Sequence, residues 1–279
     1  LILVPVVAFT IATLFALPLI LRIGVSKLRT KHPYWHEIRA LLSALGVQFF
    51  AFGFALGVPV WQMVALSMTG PFFILLGATL FLGERLTVQR LGATITGFVG
   101  AVMVSQIGTE QFTLASLLPV LAALCWGSVS VITRYLSRDE EPESLTLYML
   151  VLITPNHFLI GLLVGIAVAV LPVGALPAGL ATGFDFQLPL GDPLMLIVLL
   201  GLVTAGAQYF LSFAYKVADA TYLQPFDDLK LPLNTLLGWV ALSQVPAIWF
   251  WPGALLILGA SSFILWSERR ATPSRLQMA

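Results

Sequence analysis

From Ala40 to Gly83 the chain reads ALLSALGVQFFAFGFALGVPVWQMVALSMTGPFFILLGATLFLG, without one Asp, Glu, Lys or Arg. A bilayer's hydrocarbon core is about 30 Å thick and takes roughly 20 apolar residues per helix. The run is too long for one crossing, and Gly57-Val58-Pro59 in its middle is turn chemistry. It therefore reads as two adjacent membrane helices. A membrane β-barrel would instead show short alternating segments with a polar lumen face.

Working outward on the same basis places nine spans near 1–21, 38–57, 59–82, 86–105, 113–136, 146–171, 193–215, 220–242 and 247–266. Composition agrees. Of 279 residues 59% are hydrophobic and 10% charged, with a mean hydropathy of +0.97, where soluble domains carry about 25% charged residues. Too few charges remain to cover a water-facing surface, which excludes a soluble enzyme, a nucleic-acid binder and a disordered chain. The single cysteine, Cys125, excludes an intramolecular disulfide and reads as small apolar filler.

The net charge of +1 hides an asymmetry. Arg22, Lys27, Arg29, Lys31 and Arg39 flank the first connection. Arg85 and Arg90 sit at the third, Arg134 and Arg138 end the fifth span, Lys216 ends the seventh, and Arg269, Arg270 and Arg275 make the tail. If the spans alternate, all of these fall on one side, and the connections on the other side hold no Lys or Arg. Excess Lys and Arg mark the cytoplasmic face. The expected topology is a multi-pass protein of the bacterial inner membrane with a cytoplasmic C-terminus. Lys230, near the middle of the eighth span, is the exception. Tyr34, Trp35, Trp249, Trp251 and Trp266 sit where interfacial anchors belong.

The third and eighth spans resemble each other. Pro71 and Gly77 are six residues apart, as are Pro232 and Gly238; Gly83-Glu84 then answers to Ser243-Gln244, and Gln48-Phe49-Phe50 to Gln208-Tyr209-Phe210. The period is near 160 residues. The two spans run in opposite directions in the expected topology, so the halves are inverted, as in many secondary transporters. The fifth span, with Trp126-Gly127, has its counterpart before residue 1. Together with a start at Leu1 and not at Met, this predicts a tenth helix upstream.

These residues resemble the drug/metabolite transporter superfamily in its EamA-like branch. The likeness rests on Ala122-Ala123-Leu124-Cys125-Trp126-Gly127 running to Arg134, on the Pro71…Gly83-Glu84-Arg85-Leu86 helix end, and on Ala218-Asp219-Ala220 to Pro225-Phe226-Asp227 with Leu231-Pro232…Gly238. It covers essentially the whole chain. The resemblance implies ten helices as two inverted five-helix repeats, of which nine are visible. Residues 1–110 form the first repeat (helices 2–5), 111–270 the second (helices 6–10) and 271–279 a cytoplasmic tail. It implies a small polar substrate, amino-acid-like, with export favoured, no cofactor and no enzymatic activity. The chain departs from the family at its missing first helix and at Gln244, which stands where the family has Glu. A transporter-like fold lacking one helix could instead serve as a non-transporting scaffold, or associate with a second copy or a membrane complex.

Asp227 and Lys230 are the sharpest site candidates. Each charge at mid-membrane costs at least ~2.5–3.5 kcal/mol on insertion scales, so they need each other or a wet cavity, and i,i+3 spacing lets them meet. Asp219, Leu223, Asp227, Lys230 and Asn234 share one helical stripe. Pro225 and Pro232 each remove a backbone donor, so a broken helix is expected there. The structural alternative is an ion pair locking two helices. His157, after Pro155-Asn156, binds substrate, relays a proton or packs beside a kink. Gln48, Gln62, Gln208, Tyr209, Trp61 and Trp126 could recognise amide or ring groups. As structural residues they would make interhelical hydrogen bonds, worth about 0.6 kcal/mol on average. Pro71 and Glu84 are assigned gating or structural roles. The acidic stretch Asp139-Glu140-Glu141-Pro142-Glu143 reads as a solvated loop or a cap for the next helix. No metalloprotease, nucleophile-elbow or phosphate-loop motif occurs, so no ATP-driven or metal chemistry is expected.

Overall fold

In hydrocarbon every backbone N–H and C=O must find its partner within the segment, which is why continuous apolar runs fold as helices. The computed structural model describes residues 3–18, 24, 29–84, 86–105, 113–170, 191–227, 229–243 and 245–271, and among these all regular structure is helical. The helices are α1 Leu3–Ala16, α2 Pro33–Ala55, α3 Val60–Ser67, α4 Gly70–Gly77, α5 Val88–Ser105, α6 Leu118–Leu136, α7 Pro142–Val170, α8 Asp192–Val217, α9 Ala220–Asp227, α10 Lys230–Leu242 and α11 Phe250–Ala271. A helix or a broken helix thus stands at each of the nine expected spans. The expected tenth helix, Gln244 and Arg85 lie outside the described residues.

Among the described residues five stretches are long and apolar enough to cross a membrane: Pro33–Ala55, Val60–Leu82, Leu114–Leu136, Pro142–Ala167 and Leu194–Val217. Shorter apolar helices cover Val4–Ala16, Val88–Val104 and Phe250–Ala260. In Leu194–Val217 only 17% of the most apolar window is buried, and Met195, Leu196, Leu199, Leu202 and Val203 all face outward. So large an exposed apolar face needs lipid against it.

The chain forms two compact units. One comprises Leu1–Leu56 with Ser128–Val217, the other Gly57–Gly127 with Ala218–Ala279. Each unit draws helices from both halves of the sequence. In the first, α2 packs on α7 through Ala40, Ala44, Met149 and Ile153. α1 packs on α7 and α8 through Ala12, Ala16, Leu147, Leu150 and Ala205. Small residues on α1 and α2 let these backbones approach closely, as membrane helix pairs require.

In the second unit α5 and α11 make the most extensive helix pair. They cross at Gly100 and Gly253: a Cβ on either would lie 2.6 Å from the other's carbonyl oxygen. Only glycine permits that approach. The two broken helices of this unit also pack crosswise, α3 against α10 and α4 against α9.

Both breaks have the same build. An eight-residue helix (α3 or α9) ends, and after two intervening residues a second helix begins with a proline in its first turn. Proline is tolerated there because the first turn's N–H groups have no helical acceptor. Pro71 and Pro232 fill equivalent places. α4 runs on through a π-turn at Ala78–Leu82 to Gly83 at φ 67°, and α10 ends at Ser243 at φ 53°. Both are left-handed helix stops, a conformation glycine adopts freely and serine adopts at a cost.

Candidate functional site

The break between α9 and α10 carries the charges picked out in the sequence. Lys230 Nζ donates to Asp227 Oδ2 at 2.5 Å. The Lys230 side chain is 35% exposed and that of Asp227 52%. Asn234 Nδ2 donates to the Lys230 carbonyl at 2.9 Å. Leu229, in the link, is exposed. Pro225 lies in the last turn of α9, and Pro232 in the first turn of α10. Asp227 stands at the C-terminal end of α9 and Lys230 at the N-terminal end of α10, each the unfavourable end of its own helix. Across the break each charge instead meets the end of the other helix, which suits it.

Glu84 closes the start of this broken helix. Its Oε1 accepts the Ala220 N–H at 3.4 Å, and its Oε2 lies 3.6 Å from Arg90 Nη1. A carboxylate at a helix N-terminus satisfies an orphan donor and the positive end of the dipole. In the same unit Trp61 is buried edge-on to Phe250, with ring centres 6.4 Å apart, and Trp126 is partly buried on α6. Gln62 Nε2 donates to Ser116 Oγ at 3.4 Å.

The other candidates belong to the first unit. Gln48 on α2 and His157 on α7 are buried and meet at 3.1 Å, Gln48 Nε2 to His157 Nδ1. Phe9 of α1 stacks on the imidazole with ring centres 5.2 Å apart. Gln48 Oε1 and His157 Nε2 find no hydrogen-bond partner among the described residues. The Gln208 carbonyl accepts from Thr146 Oγ1 at 3.4 Å, and the Tyr209 hydroxyl donates to Glu143 Oε1 at 3.3 Å. Asp227 and Lys230 therefore form one group, and Gln48 and His157 another.

A third cluster lies at the start of α2. Arg39 and His36 are fully buried. Arg39 Nη2 donates to the Leu145 carbonyl at 2.6 Å and Nη1 to Thr133 Oγ1 at 3.3 Å. His36 Nε2 is 2.8 Å from Glu140 Oε2, Thr30 donates to Glu140 Oε1, and Tyr148 stacks on His36 at 4.2 Å. Lys216 Nζ donates to the Glu140 carbonyl at 3.0 Å. This corrects the reading of Asp139–Glu143 as a solvated loop: Glu140 is buried, because His36, Thr30 and Arg39 supply what water would. Burial alone would raise the Glu140 carboxyl. The hydrogen bonds from His36 and Thr30 and the charges of His36 and Arg39 outweigh it and hold the group below the usual carboxylate value. One sign was visible in the sequence: Arg39 stands one helical turn after His36, at the edge of a run without charges. Among the described residues no group of three or more His, Cys, Asp or Glu is placed to hold a metal.

The EamA-like transporter family model matches residues 113–266. A riboflavin transporter of Rhizobium johnstonii is 48% identical over 259 residues, covering 93% of this chain and 79% of that one. A riboflavin transporter of Vibrio cholerae is 38% identical over 275 residues, covering 98% and 85%. An S-adenosylmethionine uptake transporter of Rickettsia felis is 28% identical over 263 residues, covering 94% and 82%. A crystal structure 22% identical to the chain matches with a TM-score of 0.67 over 97% of this chain and 89% of the other, a likeness of fold. The apolar helices and these relatives make the protein a multi-pass membrane transporter of a small molecule, not an enzyme. The chain belongs to the EamA-like transporter family, within the drug/metabolite transporter superfamily.

Proposed function

We propose that the chain transports riboflavin across the bacterial inner membrane. The 48% identity to a riboflavin transporter over 93% of the chain carries this reading. Two further riboflavin transporters, at 44% and 38%, support it. The expectation of an amino-acid-like substrate moved outward draws no support from these relatives or from the S-adenosylmethionine uptake transporters. The break at Asp227–Lys230 is the proposed binding point. A broken helix offers backbone groups and a polar stripe at mid-membrane, which a ring system bearing hydroxyls and imides needs. Trp61, Trp126 and Asn234 are proposed contributors within the same unit, and Gln48, His157, Gln208 and Tyr209 are proposed binding residues of the other unit. Glu84, Pro71, Pro225 and Pro232 are proposed to hold the broken helices in shape. The matched breaks and their crossed packing support an inverted repeat, residues 1–110 against 111–270, with alternating access by rocking of the halves. The Lys and Arg asymmetry supports a cytoplasmic C-terminus.

The test is counterflow in proteoliposomes preloaded with unlabelled riboflavin, with a pooled amino-acid panel as comparison. Labelled riboflavin should accumulate transiently and the amino acids should not. Accumulation of an amino acid in place of riboflavin would overturn the assignment.

A further inference from the structure

The inference deepens the reading of the chain as a riboflavin transporter and rests on it. In the Asp227–Lys230 pair the ammonium is already neutralised, at 2.5 Å from the carboxylate. Both side chains remain partly exposed, at 35% and 52%, and the pair joins the ends of α9 and α10. The His36–Glu140 pair of the first unit, with Arg39 beside it, is by contrast buried. The Asp227–Lys230 pair is open on one side and has no net charge.

We propose that the Asp227–Lys230 pair is the charge filter of the site, admitting neutral flavins and turning away phosphorylated ones. Riboflavin is uncharged. Its phosphate ester carries roughly −1.5 to −2 at neutral pH, as phosphate monoesters do. A phosphate reaching Lys230 meets Asp227 at once and must either displace it or tolerate its repulsion. Specificity of this kind comes from a repulsive element built against the competitor. Removing the Asp227 carboxylate takes away the partner held at 2.5 Å from the Lys230 ammonium and should raise the affinity of the break for an anion.

The experiment uses the full chain, purified and reconstituted, with labelled riboflavin and unlabelled riboflavin or flavin mononucleotide as competitor. Binding is read in parallel by flavin fluorescence. In the wild type, flavin mononucleotide should compete at least about tenfold more weakly than riboflavin. In Asp227→Asn that gap should close or reverse, whereas in Lys230→Gln, which leaves the carboxylate alone, it should widen. Equal competition by the two flavins in the wild type overturns the filter and needs no variant to fold. An unchanged gap in an Asp227→Asn protein that still binds riboflavin also overturns it. Failure of the wild type to bind or move riboflavin at all is a different result, and it overturns the parent reading instead.

Discussion

The two broken helices of the second unit share a backbone and differ in chemistry. At the first break Ser67, Met68 and Thr69 are buried. The polar groups close on themselves: Ser67 Oγ donates to the Val64 carbonyl at 2.7 Å and Thr69 Oγ1 to the Leu66 carbonyl at 2.9 Å. The Met68 and Thr69 N–H groups reach back three residues, to Ala65 and Leu66. At the second break Phe226 and Leu229 are exposed and the Asp227–Lys230 ion pair spans the gap. Proline placement and a left-handed stop are enough to build such a break. What the break does depends on the side chains set in it: one is sealed and uncharged, the other open and charged.

The sealed break should not tolerate what the open one carries. Met68→Asp puts an unpaired carboxylate into a buried link and should cost the most, on the order of several kcal/mol. The expected result is loss of the monodisperse, detergent-purified protein. If Met68→Asp purifies with an unchanged melting temperature, the sealed break is wet after all. Next comes the crossing that holds both breaks in one unit. Gly253→Val would bring new atoms against Val104 and the Gly100 carbonyl, contacts of 2.5 and 2.6 Å for the Cβ alone. It should cost about 2–3 kcal/mol by forcing α5 and α11 apart, read as a lowered melting temperature.

Glu140→Gln tests the buried cluster of the first unit against the open ion pair. The sign follows from its lowered proton affinity. A carboxyl held below its usual value contributes stability above that value and loses it as pH falls through the lowered one. The variant should therefore melt lower than the wild type by an amount equivalent to about 1–3 kcal/mol near neutral pH. The difference should shrink as the pH falls below about 4, from the ordinary carboxyl range down through the lowered value. A difference independent of pH would mean that Glu140 acts through packing alone. Glu84→Gln keeps an acceptor for Ala220 and loses the charge facing Arg90 and the α9 terminus. A loss of about 0.5–1 kcal/mol is expected, visible as a small melting shift that salt diminishes.

The smallest stability effect should accompany a large functional one. Asp227→Asn combined with Lys230→Met removes a partly exposed pair, worth at most about 1 kcal/mol. Melting should barely move, while the initial rate of riboflavin counterflow should fall at least about tenfold. Unchanged transport by this double variant would reduce the open break to a structural ion pair.

Much of this was legible in the chain itself. The run from Ala40 to Gly83 predicts two helices, and α2 and the α3–α4 pair stand there, because apolar runs in lipid have few other ways to satisfy their backbone. Pro232 beside Asp227 and Lys230 predicts a broken, charged helix, and the break lies between those two residues. The spacing of Pro71 with Gly77 and of Pro232 with Gly238 marks the third and eighth spans as alike, and the structure adds that both are broken. These features are local: a proline acts on its own turn, and an i,i+3 pair needs only its own chain segment.

Tertiary packing decided the rest. Nothing near Glu140 in sequence announces its burial, since its partners Thr30, His36 and Arg39 come from the region around the start of α2, about a hundred residues away. Gln48 and His157 are 109 positions apart and meet only because α2 lies on α7. The Gly100–Gly253 crossing likewise brings two halves of the chain within backbone contact. Local sequence sets periodicity, proline breaks and charge placement, because those act within a turn or two of helix. Which polar groups are buried and satisfied depends on which helix faces which, and that follows from the packing of the whole unit.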